Sequence, residues 1–301
     1  MVLVVLGHAL IGVGAVEGDP RAGRFLLVLI YTSHMPLFFI ISGFLSRGSA
    51  HLGPRELLPR LIRRILWPYI LWGLIILAVH YSMSGYTNTQ VERFQPWIIL
   101  WKPPAVMWFL YVLFFAQVLA MLVARLPYLW RVAAGLLFLV GPYFLPDAFL
   151  NARFIGLFLL ARFLHFELVF FKVQSRGILI GMFVFASSCI LIWTRSAGPL
   201  SGYPAGDWSF IPMLFAGPLL IFALAGRLAA NSTLETIGRN SMAIFVTHIF
   251  FTAGTRMILT ATGTDRYALL VVACATVGVA GPLVLAYAAR AFRISAPLGW
   301  A

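Results

Sequence analysis

Apolar residues fill ten segments of the chain, 1–16, 25–45, 65–81, 105–123, 131–146, 153–171, 177–194, 210–228, 242–260 and 268–289, with short polar stretches between them. Each is near the roughly 20 residues that cross about 30 Å of hydrocarbon as a helix. The pattern predicts an all-α, polytopic membrane bundle of about ten transmembrane helices. The loops leave no room for a soluble domain, a low-complexity tail or an internal repeat, so residues 1–301 read as one domain with its working parts inside the bundle. The chain opens at Met1 within an apolar run that carries no basic flank, which predicts that a preceding part of the first helix is missing.

Ionisable residues interrupt these segments at few places. Inside a bilayer each costs at least about 2.5–3.5 kcal/mol on insertion scales and needs a partner, a watery cavity or a task. Counted along their helices at 1.5 Å per residue, His8 in the first span and His34 in the second fall roughly 12–14 Å below the outer surface. Arg162 and His165 in the sixth span fall at roughly 14–18 Å, with Glu167 one step further. Arg162 and His165 share a helical face, whereas Glu167 points elsewhere. The competing reading for each group is a structural hydrogen bond between helices. Two histidines and an arginine at one depth favour a site. His248 enters from the other side of the bilayer and is ambiguous; His51 and His80 read as solvated or interfacial.

Composition excludes an ordinary soluble domain. The sequence is 61% hydrophobic and 10% charged, with a mean hydropathy of +0.94, whereas soluble domains are about a quarter charged. The net charge of +13 then reads as membrane topology rather than nucleic-acid binding. The densest basic stretch, 46–64, holds Arg47, Arg55, Arg60, Arg63 and Arg64 and is placed in the cytoplasm, which puts both termini there too. Cys189 and Cys274 suggest neither a disulfide framework nor a metal site. No metal is expected.

The stretch "PRELLPRLIRRILWPY" (54–69) sets Arg60, Arg63 and Arg64 where a helix enters the membrane. On an α-helix Arg60 and Arg63 share a face, and paired guanidiniums suit phosphate oxygens. An anchor to anionic lipid is the alternative. Pro36 and Gly43 loosen the second helix as a cavity wall requires, and Trp67, Tyr69, Trp72, Trp97, Trp101 and Trp108 read as interfacial belts.

Taken in order, "VVLGHAL" (4–10), "HMPLFFIISGF" (34–44), "RLIRRILWPYILW" (60–72), "WFLYVLF" (108–114) and "NSMAIFVTHI" (240–249) resemble the acyltransferase-3 family of integral membrane acyltransferases, and within it the fucose 4-O-acetylase-like and exopolysaccharide O-acetyltransferase subgroup. The resemblance implies transfer of an acetyl group from acetyl-CoA to a sugar hydroxyl of a surface polysaccharide or lipid-linked glycan, in a bacterial inner membrane. It makes His8 the catalytic candidate and Arg60 and Arg63, with Arg64 beside them, the contacts to the CoA donor. Relatives commonly carry an acidic and a basic residue upstream of Gly-His, before this chain begins, and often a histidine where Val106 and Met107 stand here.

On this reading His8 is a general base on the acceptor hydroxyl, or takes the acyl group itself. Imidazole suits proton transfer near neutral pH. The thioester oxygen needs a donor as charge develops, from His34, Arg162 or Ser42; His34 ranks first because its depth matches that of His8, which makes it the second catalytic candidate, and Ser42, Arg162, His165 and Glu167 form the expected substrate-binding set. The alternative function is a proton-coupled transporter or flippase of a glycan or small metabolite built on the same buried groups.

Overall fold

A computed structural model describes residues 1–18, 20–83, 93–145, 147–164, 175–195, 210–227 and 231–300, which are mostly helical with no strand among them. In chain order the α-helices are α1 (Val2–Glu17), α2 (Arg21–Leu45), α3 (Pro54–Leu61), α4 (Trp67–Ser82), α5 (Trp108–Val123), α6 (Tyr128–Val140), α7 (Arg153–Phe163), α8 (Ser175–Arg195), α9 (Phe210–Arg227), α10 (Ser232–Arg239), α11 (Ser241–Ala261) and α12 (Tyr267–Ala291). Every apolar segment read from the sequence overlaps one of them. Among the described residues, five stretches are long and apolar enough to cross a membrane: Arg21–Ser49, Pro54–Ser82, Pro96–Val123, Ser241–Ala261 and Tyr267–Ala291. Two of the other apolar runs are interrupted locally. The α6 helix tightens at Gly141 into a 3₁₀ turn that holds Pro142, and α7 stops at Phe163 because Leu164 turns to extended backbone.

The chain divides into two compact units. The first comprises residues 1–23, 60–111 and 230–301. Here α1, α11 and α12 pack on one another, around Val5, Ile237 and Ile244, with Met1, Val279 and Leu283 against them. Gly278 of α12 sits where the three helices come closest: a Cβ there would lie 2.5 Å from Thr252 Cγ2 and 2.6 Å from Val5 Cγ1. Small residues allow such approaches in membrane bundles, where packing rather than water drives association. Tyr69 and Trp72, expected at the interface, are instead buried. The Trp67 and Trp72 indole N–H groups donate to the carbonyls of Pro297 (2.8 Å) and Leu298 (3.0 Å), and Trp300 stacks on Trp72 at 5.6 Å. Residues 297–300 are thereby tied to the first turns of α4.

The second unit comprises residues 24–59 and 112–229. Its centre is α7, whose residues from Arg153 to Arg162 are all buried, as befits a helix apolar on every side. Phe39 of α2 stacks on Phe154 at 5.1 Å, and Gly43 meets the Phe158 carbonyl so closely that no Cβ fits between. Arg47 closes the C-terminus of α7. Its guanidinium donates to the carbonyls of Ala161, Arg162 (2.9 Å) and Leu164 (2.5 Å), groups that a helix end otherwise leaves without partners.

Candidate active site

The chemistry gathers in the first unit, where α1 brings His8 against His248 of α11. Their ring centroids are 5.1 Å apart with planes tilted by 50°. His8 is half-buried, whereas His248 has 0% of its surface exposed. The Nδ1 of His248 lies 2.9 Å from the Ile244 carbonyl oxygen and 2.8 Å from that of Phe245. Carbonyls only accept, so Nδ1 carries the proton and donates it. The Nε2 of the same ring is buried with no hydrogen-bond partner among the described residues.

On its other side His8 faces a cavity of about 360 Å³, of the size that small-molecule sites have. Its polar wall consists of His8, His80, Thr252 and Arg256; Ile11, Val13, Ile249 and Ala253 supply much of the apolar remainder, and Cys274 lies in the α12 wall. His248, Thr252 and Arg256 follow one another at intervals of four along α11 and so form one stripe. Arg256 is only 7% exposed, and it approaches α1 near Gly12, where a Cβ would stand 3.9 Å from Arg256 Nε. Thr252 and Arg256 go unnamed in the sequence reading, which takes His80 as solvated or interfacial. The spacing of four within 242–260 is the signal that finds the first two, since it aligns them with a histidine already noted.

The cavity marks one end of this unit. It is bounded by the later turns of α1, α4 and α11, through Val13, His80 and Arg256, and by the earlier turns of α12 through Cys274. Arg60, Arg63 and Arg64 precede α4 and are exposed at the opposite end. Trp72 of α4 packs on Phe250 of α11 at 6.4 Å, which registers the two helices. Eight residues separate Arg64 from Trp72 and two separate Phe250 from His248, so Arg64 stands roughly 10 Å along the bundle axis from the histidine pair. The arginines are not spaced as an uninterrupted α-helix would space them. Residues Ile62–Leu66 form a π-helical turn, in which the Trp67 N–H reaches the Ile62 carbonyl, and such turns recur at functional sites.

The remaining expected residues belong to the second unit or lie outside the described residues. His34 is buried in α2; its Nδ1 is 2.6 Å from the Ile30 carbonyl and its ring meets Tyr31 edge-on at 4.8 Å. Ser42 is half-buried on the same helix. Arg162, at the end of α7, donates through Nη1 to the Ser46 carbonyl at 2.7 Å, a link within that unit. His165 and Glu167 fall outside the described residues. No group of His, Cys, Asp and Glu suited to a metal ion occurs among the described residues.

Apolar helices of membrane-crossing length, beside a cavity whose wall carries His8 and the buried Arg256, mark an integral membrane protein. The sequence profile of the acyltransferase domain matches residues 1–287, and the chain belongs to that acyltransferase-3 family of membrane acyltransferases. Comparison with curated proteins and with solved structures returns no match.

Proposed function

We propose that the chain is an O-acetyltransferase of the inner membrane, with both termini cytoplasmic, which moves an acetyl group from acetyl-CoA to a sugar hydroxyl of a surface polysaccharide or lipid-linked glycan, as the fucose 4-O-acetylase-like and exopolysaccharide subgroup does. The observation that carries this reading is His8 on the wall of a chamber one short step along the bundle from an arginine-rich rim.

Arg60, Arg63 and Arg64 grip the CoA phosphates, and the pantetheine arm covers the roughly 10 Å from Arg64 to the level of His8. The acceptor hydroxyl enters the cavity from the other end and gives its proton to the unprotonated nitrogen of His8. Its oxygen forms the new bond to the acyl carbon, the C–S bond breaks, and the departing CoA thiolate takes the proton from His8. Arg256 and His80, on the same wall, are the groups of this unit suited to stabilising charge on the thioester oxygen. His34 remains the catalytic donor expected from the sequence, and Ser42, Arg162, His165 and Glu167 the expected substrate-binding set.

Purified protein incubated with radiolabelled acetyl-CoA and candidate lipid-linked glycans tests the reaction. His8→Ala, checked for unchanged thermal unfolding, is expected to lower label transfer by about 10²–10⁴-fold, the contribution of a positioned base. Unchanged transfer removes His8 from the mechanism. The buried His248 and Arg256 on α11 also suit a proton-coupled transporter. That reading predicts glycan movement into vesicles without consumption of acetyl-CoA.

A further inference from the structure

The geometry points to His248 as the positioning residue for His8, an inference that rests on His8 being the base. An imidazole base must present an unprotonated nitrogen to its substrate, and which nitrogen that is depends on the hydrogen bond made by the other. His248 supplies the means. Two carbonyl acceptors, Ile244 and Phe245, fix its proton on Nδ1, so the neutral ring holds its lone pair at Nε2. That Nε2 is buried, in a residue with no exposed surface, and has no hydrogen-bond partner among the described residues. A buried acceptor left unmatched costs free energy, which calls for a donor.

His8 is the donor at hand. The centroid separation of 5.1 Å, less the two ring radii, falls within the range of a nitrogen–nitrogen hydrogen bond once the two nitrogens face one another. Accepting the N–H of His8, His248 leaves the second His8 nitrogen unprotonated and turned to the cavity. His248 touches no substrate. It fixes the tautomer and the angle of the group that does, and the helix carbonyls that fix its own tautomer make the arrangement part of the α11 backbone.

Three variants test this in the same assay: His8→Ala, His248→Phe and His248→Gln. Phenylalanine keeps a ring of similar shape but offers no acceptor, and glutamine restores an amide oxygen near the place of Nε2. His248→Phe is expected to lower kcat on the order of 10–100-fold, the scale seen when partners that orient a metal-bound histidine are removed, with KM for acetyl-CoA unchanged. His248→Gln is expected to recover most of that loss. A second readout needs no turnover: diethylpyrocarbonate modifies unprotonated imidazole, and mass spectrometry of His8 should show slower modification in His248→Phe than in His248→Gln or the unaltered protein. If His248→Phe fails to fold, a His248→Gln protein with kcat and His8 modification near the unaltered values supports the inference, and one that loses both overturns it. Equal kcat and equal His8 modification in a folded His248→Phe also overturn it. An active His8→Ala protein instead overturns the reading on which it rests, so the two failures are told apart.

Discussion

Gly278 shows how a single missing side chain sets the geometry of the site. Thr252 and Val5 would stand 2.5 and 2.6 Å from a Cβ at this position, and Thr252 lies on the stripe that also carries His248 and Arg256. Alanine here has to push α11 or α1 away. Gly278→Ala is therefore expected to destabilise the protein by about 1–3 kcal/mol, the usual cost of overfilling a packed core. The measurement is thermal unfolding in detergent; unchanged stability would show that the three helices give way freely. Among individual residues, His8 was legible in the sequence because a lone ionisable ring in an apolar run stands out and a motif surrounds it. Arg256 was equally visible as an arginine within 242–260. Its significance was not, because depth counting from the ends of separate spans groups residues by layer, whereas α1 and α11 meet through a spacing of four and a glycine on a third helix.

At the scale of elements, the arginine-bearing turn departs most from expectation. In an α-helix each residue advances about 100°, which sets Arg63 beside Arg60. The π-helical turn at Ile62–Leu66 fits an extra residue into each turn, so Arg64 swings round towards the line of Arg60 and Arg63 falls back from it. Acetyl-CoA binding, read from its thermal stabilisation of the protein, should suffer at least as much from Arg64→Ala as from Arg63→Ala. A tenfold loss of affinity at saturating ligand removes about 1.4 kcal/mol of stabilisation. Stabilisation by acetyl-CoA that survives in Arg60→Ala/Arg64→Ala and disappears in Arg60→Ala/Arg63→Ala would restore the α-helical pairing. The ends of elements were hidden in the sequence for a related reason. The α7 helix reads as apolar to residue 171 but stops at Phe163, where Arg47, more than a hundred residues earlier in the chain, donates to its last carbonyls. No window along the sequence contains both.

For the whole molecule, hydropathy carried the all-helical membrane class, because a chain with 10% charged residues has few other ways to satisfy its backbone in lipid. Among the described residues five stretches have the length and apolarity for a full crossing, and a 3₁₀ turn at Gly141 and the end of α7 at Phe163 interrupt two of the other apolar runs. The division into two units has a practical consequence, for each contains one buried free cysteine, Cys274 in the first and Cys189 in the second. Cys274 belongs to the cavity wall. A small methanethiosulfonate reagent thus finds a built-in reporter at position 274, with position 189 as an internal reference. Ala253→Trp, which fills the chamber from α11, should slow labelling of Cys274 while leaving Cys189 unaffected, and the two sulfhydryls can be followed separately by peptide mass in one unaltered polypeptide, before any acceptor has been found.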